Sequence, residues 1–462
     1  MAVWSAVSVS ALEYSRFDAD FYHPKYLNEL EFWRRLDTRI GVAKLGRIIA
    51  APVRTGRTPR SRSIKGDEET IRFIKTDTVR EGSVDFNNSA LLPLRVVSDR
   101  DIIPAGAVVM TIIGATPEIV GRTAIVRSND PACVTNQNVA VISTNGNFDP
   151  FFLTAYFQTT WGRDQVWRHS RRTEQVNLNC REVERVLVPK PPLAIQADIG
   201  NLVRNSFAAT DQSVELYERA QQIFEEELSP RTVTVAKPMG YLSQFSETVA
   251  DGRFDADYYQ PQYAAMRALV QNYQGGAESL LAYCDSLRPN VDPSANSIDM
   301  FDYIELSNID ATIGLVDGAL SGNGSTLPSR ARRQVRAGDV IASAVVGSVD
   351  KAAIISDEQD GFIASTGFFH LRPRTVTPEY LLMLVRSQCV RMQFQQQATG
   401  GILSAVPDSR LKRVIVPKIP ESIRQEITGL VAESHAAKRK SDGLLEEAKI
   451  CVEQLIGEAI QP

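Results

Sequence analysis

The stretch RFDADFYHPKY runs from Arg16 to Tyr26, and RFDADYYQPQY runs from Arg253 to Tyr263. Eight of the eleven positions are identical at a constant offset of 237 residues. The correspondence continues along the chain. PAGAVVMTIIG (Pro104 to Gly114) returns as RAGDVIASAVVG (Arg336 to Gly347), and RVLVPKPPLAIQADI (Arg185 to Ile199) returns as RVIVPKIPESIRQEI (Arg413 to Ile427). Order is kept and only loop lengths drift. The repeated unit is about half of the 462 residues. This predicts a duplicated domain, not a solenoid of short repeats, and a chain of this length exceeds what one core usually serves.

Each copy reads in the same way. The Arg-Phe-Asp motif starts a short helix with aromatic anchors. TIRFIKTDTV and FDYIELSNID alternate as strands between Gly and Asn turns. GAVVMTIIG and GDVIASAVVG are short β-branched runs bounded by glycine, the pattern of buried strands. FFLTAYFQTTW and EYLLMLVRSQCVRMQF carry apolar residues at helical spacing. A strand VLVPK or VIVPK follows and ends at prolines.

Beyond those prolines the period changes. Ile199, Val203, Phe207, Val214, Tyr217, Phe224 and Leu228 form a narrow apolar seam, and Ile427, Val431, Ser434, Leu445, Ala448, Val452 and Leu455 form a second. A narrow seam needs a partner helix, and the other copy supplies it. Val203, Phe207, Val214 and Tyr217 are expected to face Val431, Ser434 and Leu445. Gly200, Ala208, Ala209, Gly429, Ala436 and Ala437 are expected to let the backbones approach. The expected class is α+β: two duplicated globular domains held apart by two long antiparallel helices, a coiled-coil spacer. The expected bounds are 1–192, 193–236 (helix and linker), 237–420 and 421–462. A helix of 33 residues is about 50 Å long, and one turn of B-DNA about 34–36 Å, so such a pair is a suitable ruler for a split DNA site.

This order of elements, with a VPxPP…Q hinge opening a long helix and the whole duplicated once, resembles the specificity subunit of type I restriction–modification systems. The resemblance covers essentially the whole chain. It implies two target recognition domains, each reading one half of a bipartite site on double-stranded DNA, and helical regions that dock two adenine methyltransferase subunits and, through them, restriction translocase subunits. It implies a non-catalytic chain without a cofactor of its own, with S-adenosylmethionine, ATP and Mg on the partner subunits. The second copy departs from the pattern at Ile419, where the first has Pro191, and TNQNV (Thr135 to Val139) becomes ASTGF (Ala364 to Phe368).

The residues themselves carry little catalytic machinery. There is no GxxxxGK[ST] loop and no GxGxxG after a strand. His23, His169, His370 and His435 stand apart, without metal spacing. DPFFL at Asp149 resembles a base-gripping methyltransferase motif but reads better as a helix N-cap followed by proline; TPEYL occupies the same place in the second copy. His169 is expected on an exposed loop. Asp18 and Asp20, repeated as Asp255 and Asp257, are expected to cap and dock the opening segment. Cys180 and Cys451 are expected to be buried small side chains. Five scattered cysteines without CxxC argue against a disulfide framework.

Basic tracts are more informative. Net charge is −4, which excludes a uniformly basic binder but not local patches. Arg54, Arg57, Arg60, Arg62 and Lys65 sit in a Gly, Pro and Ser-rich loop without an acid between Gly41 and Gly66. Arg168, Arg171 and Arg172 form a second cluster, and Arg330, Arg332 and Arg333 a third. The polar stretch FQQQATGG stands where the first copy has WRHSRRTE. Arginine and glutamine on loops suit phosphate and base edges. All these basic residues are DNA-contact candidates. The rival reading is a duplicated protein-binding scaffold without sequence-specific DNA reading. No window has the length and apolarity of a membrane span. The opening stretch lacks the basic start and apolar run of a secretion signal, so a cytoplasmic protein is expected.

Overall fold

The structure is a computed structural model that describes residues 4–13, 16–60, 62–116, 119–172, 175–228, 240–400 and 404–459. The chain divides into two compact units. One is Met1–Ala208 with Lys440–Pro462, and the other is Ala209–Arg439. The division cuts both long helices, so each unit owns one end of each.

The first unit opens with α1 (Pro24–Arg39) and contains two main sheets. A four-stranded antiparallel sheet runs in the order Arg54–Thr55, Val139–Ile142, Val108–Thr111, Thr123–Ile125. A three-stranded sheet orders Ala90–Pro93, Thr70–Ile74, Cys133–Thr135, the last pair parallel. Helices α2 (Pro150–Gln158), α3 (Thr160–His169) and α4 (Cys180–Val183) follow, then α5 (Leu193–Leu228). The GAVVMTIIG segment is apolar throughout because its strand is buried on both faces. Val108 and Met110 pack with Phe152, Leu153 and Tyr156 of α2. Val109 packs on the other face with Ile74, Val79 and Cys133, as the two-residue period of a strand requires.

The second unit repeats this plan. After α6 (Phe245–Asp251) and α7 (Pro261–Gln271) come two sheets. One orders Cys284–Leu287, Phe368–Pro373, Val340–Ser343, Ala352–Ile354, Leu315–Val316 and Ile309–Asp310; the other orders Leu320–Asn323, Met300–Ile304, Ile363–Ser365 and Ala331–Gln334. Then come α8 (Pro378–Arg386), α9 (Gln388–Gln397) and α10 (Glu421–Glu458). Val340 and Ala342 face one core, Ile341 the other. The chain is therefore α+β and duplicated in fold as in sequence.

The repeated RFDAD motif has a structural job. Arg16 is 1% exposed. Its guanidinium donates to the carbonyls of Arg168, His169 and Ser170 at the end of α3, and bidentately to Asp18. The last carbonyls of a helix have no partner within it and carry partial negative charge, so a cation is suited to that end. Arg253 does the same for α9, donating to Ala398 O at 2.9 Å and to both oxygens of Asp255. Tyr22 and Tyr259 close each latch by donating to the carbonyls of Arg16 and Arg253. Asp18 and Asp255 accept the amides of Phe21 and Tyr258. The motif is a turn before α1 in the first unit and a 3₁₀ turn (Ala256–Tyr259) in the second.

The long helices meet through a seam that the apolar pattern alone does not describe. In the first unit Ser206 Oγ lies 3.0 Å from Ser441 Oγ. In the second, Ser434 Oγ donates to Ser213 O at 2.7 Å. Both pairs are buried, and each is one heptad from the other on its own helix, which makes the pairing antiparallel. The repeat explains it: Ile199, Ser206, Ser213 and Ala220 on α5 match Ile427, Ser434, Ser441 and Ala448 on α10 at a constant offset of 228. Val203 and Phe207 lie in one core with Ala448 and Val452, with Leu445 packed against it. Tyr217 and Val431 lie in the other, with Val214 against it. The glycines are not part of this seam. A Cβ on Gly200 would sit 2.8 Å from Asp149 Oδ1, and one on Gly429 would meet nothing within 4 Å. Ala208 and Ala436 are exposed; Ala209 and Ala437 are buried. Serine and alanine, not glycine, give the small side chains between the helices.

The second core also holds a charged network that the first lacks. Asp339 follows Gly338 as Ala107 follows Gly106, both glycines at φ +82°. Asp339 bonds His370 Nε2 at 2.6 Å and accepts two bonds from Arg372. Burial works against its charge, yet His370 and Arg372 hold its carboxyl down to about 2. An unfolded aspartate titrates near 3.9, so the carboxylate stabilises the fold above about pH 4, and this contribution is lost as pH falls towards 2. We expect thermal melts of the second unit to lose stability over that window. Asp339→Asn should lower the melting temperature at pH 7 and flatten the acid dependence.

Candidate nucleic-acid interface

The basic loop of the first unit starts on a tight anchor. Gly56 N donates to Asn136 O at 3.1 Å. A Cβ on Gly56 would sit 1.8 Å from Thr135 O, so only glycine fits there. Thr58 donates to Gln137, tying the loop to the TNQNV turn. Arg54 donates to Ile102 O and Arg57 pairs with Asp101 at 2.6 Å. At the far end Arg95 donates to Ser63 O and pairs with Glu68. Between these anchors Arg60, Arg62 and Lys65 are exposed, and no salt bridge engages them among the described residues. The fold thus brings one acid, Asp101, to a cation of a tract whose sequence has none, while Glu68 pairs with Arg95 outside the tract, and three cations stay open to a ligand.

The second basic cluster separates. Arg168 is 6% exposed and stacks on Phe21 at 4.7 Å. Burial lowers its pKa, and it offers no charge to the surface. Arg171 pairs with the buried Glu182 at 2.6 Å, and Arg172 pairs with Asp20, donates to Tyr26 and lies over Trp167. WRHS is not a loop but the last turn of α3, as FQQQ is of α9. His169 is buried there, not exposed. Burial and the neighbouring Arg168 and Arg16 push its pKa down to about 3, so the ring stays neutral and is too weakly basic to take a proton near neutrality.

The third cluster separates as well. Arg333 is 3% exposed and donates to Leu287 O and Asp408. Arg332 pairs with Asp292 at 2.6 Å. Arg330 remains exposed, as do Arg336, six residues on, and Arg288. The segment from Arg288 to Asp299 stands where the first unit has its basic loop, and it carries one arginine and two aspartates. The two units therefore present different surfaces at equivalent places.

Other candidate groups have structural roles. Asp149 caps α2, accepting from Phe151 and Phe152, with Pro150 at the first helical position. Its other oxygen meets Arg204 at 2.7 Å. Thr377 caps α8 in the same way and its hydroxyl lies 2.9 Å from that of Thr428. Thus Gly200 makes room for a charged cap in one copy, and Thr428 meets a neutral one in the other. The five cysteines are unpaired. Cys180 and Cys451 are half-buried, not fully buried, and burial raises both thiols, the opposite of what an activated nucleophile needs. Among the described residues no group of three or more His, Cys, Asp or Glu is placed to hold a metal ion. No helix of the described residues is long and apolar enough to cross a membrane.

No family model and no curated protein matches the chain. Solved structures do. The chain is similar to the S subunit of a type I restriction–modification system from M. genitalium, with 8% identity, 91% of this chain and 96% of that one covered, and a TM-score of 0.41. It is similar to a chain from a structure of type I R-M complex assembly and conformational transition, with 15% identity, coverage of 92% and 98%, and a TM-score of 0.31. It is also similar to the HsdS subunit from Thermoanaerobacter tengcongensis, with 16% identity, coverage of 91% and 96%, and a TM-score of 0.29.

Proposed function

We propose that the chain is the non-catalytic specificity subunit of a type I restriction–modification complex. It reads a bipartite, asymmetric site on double-stranded DNA and docks adenine methyltransferase subunits and, through them, restriction translocase subunits. The observation that carries this reading is the duplication of one α+β unit with different charge at equivalent loops, joined by paired long helices. Two related units suit two half-sites. Their different loops, Arg60, Arg62 and Lys65 in one and the nearly neutral segment from Arg288 to Asp299 in the other, suit half-sites of different sequence. S-adenosylmethionine, ATP and Mg belong to the partner subunits, and the complex works in the cytoplasm.

The test is the methylome of cells carrying the complete system. A split, asymmetric motif is expected. Exchange of residues 41–185 for the matching region of a relative should change one half only. Change in both halves, or methylation without a defined motif, would refute the division of labour. The latter would favour a scaffold that does not read DNA.

A further inference from the structure

Both copies of the repeated motif keep a phenylalanine that the fold does not use. Phe17 is 78% exposed and Phe254 is 73% exposed. Their neighbours have structural work: the arginines latch helix ends, the aspartates hold the arginines, and the tyrosines close the latch. The phenylalanines lie in wider apolar surfaces. Seven of the sixteen large apolar side chains exposed among the described residues fall in 4–17 and 242–254. Trp4 and Val9 accompany Phe17, and Phe245 and Val249 are among those that accompany Phe254. Scattered exposed apolar residues are ordinary, but concentrated ones mark interaction surfaces. These occur twice, at equivalent positions of two units whose other surface loops differ.

The charges beside these segments decide the occupant. Arg16 is tied to Asp18, Arg172 to Asp20, and Arg185 lies near Glu13. In the second unit Arg253 is tied to Asp255 and Arg413 to Asp251, while Glu247 and Asp257 add further acid. Each of these cations already has a carboxylate, so the five arginines here are matched by acid, and nucleic acid or an anionic lipid surface would find little excess positive charge. An apolar face without excess cation, repeated once in each unit, fits two copies of one protein partner with an apolar pocket.

We infer that Phe17 and Phe254 anchor two equivalent docking faces, each taking one methyltransferase subunit, in addition to the contact expected along the long helices. This rests on the proposed specificity-subunit role. Aromatic anchors in such faces cost partner binding heavily when lost. The experiment titrates the full-length chain with the purified methyltransferase subunit of the same system and reads affinity and stoichiometry. The wild type should bind two. Phe17→Glu and Phe254→Glu should each weaken one site by at least about 30-fold and leave the other, and the double variant should lose tight binding at both. Both side chains are exposed, so melting temperatures should not move, and calorimetry checks this. Equal binding of two subunits by wild type and variants would overturn the docking inference while leaving the specificity-subunit role intact. No binding by the wild type would overturn that role and the inference together. Self-association of the chain that these substitutions abolish would assign the faces to a second copy and also overturn the inference.

Discussion

Replacing Arg60, Arg62 and Lys65 together by alanine should flatten the salt dependence of DNA binding by the assembled complex. Each lost phosphate contact lowers the slope of log K against log salt by about 0.9, so three lower it by about 2.7. Between 50 and 200 mM salt that difference corresponds to about 40-fold less loss of affinity in the variant. Binding at low salt should weaken most. The contrast is Arg57→Ala. Arg57 is held by Asp101 at 2.6 Å, so its removal frees an acid as it removes a cation, and it tests neutralisation more than contact. Arg168→Ala and Arg333→Ala should leave the slope unchanged and lower thermal stability instead, because both guanidinium groups are buried among protein partners. Filter binding over a salt series measures all of these. An unchanged slope in the triple variant would return the loop to ordinary solvated surface.

The duplication was legible as direct identity between the two halves, and the buried strands and long helices were legible because they rest on local pattern: glycine-bounded apolar runs for the strands, heptads for the seam. What was not legible depends on residues far apart in the chain. Gly200 looks like a helix-packing glycine until Asp149 is brought against it. Arg168 and Arg333 look like surface charge because the groups that bury them, Phe21 in one case and Leu287 O and Asp408 in the other, are distant in sequence. The last turns of α3 and α9 look like loops because WRHSRR and FQQQ are polar, although Gln165, His169, Gln393 and Gln397 are buried there. One missed signal was available. The seam read from the sequence includes Ser434 but not Ser206, Ser213 or Ser441, although Ser206 and Ser213 recur as Ser434 and Ser441 at the 228-residue offset of the repeat. Asp101, which neutralises Arg57 of the basic loop, left no such signal.

If the helix pair measures the distance between half-sites, four-residue insertions and seven-residue insertions should have opposite outcomes. The antiparallel register sets the design. A four-residue insertion after Ala209 in α5, matched by one after Ala437 in α10, falls between the two serine pairs on both helices and so preserves Ser206 with Ser441 and Ser213 with Ser434. An insertion in α5 alone sacrifices one of those pairs. Four residues lengthen each helix by about 6 Å and turn it about 40° beyond a full turn. One base-pair step advances about 3.4 Å and turns about 34–36°. Rotation and rise both have the sign that DNA requires, so the complex should stay active with the same two half-site sequences and a gap longer by one or two base pairs. Seven residues lengthen each helix by about 10.5 Å but turn it about 20° short of two turns. Three base pairs cover that rise only with a turn of about 100°. The seam should survive and the chain should fold, while the second recognition unit faces away from its half-site and methylation is lost. Methylome sequencing, with thermal melts as the folding control, reads both. An unchanged gap in the four-residue variant, or full activity in the seven-residue one, would mean that spacing is set by the partner subunits and not by the helices.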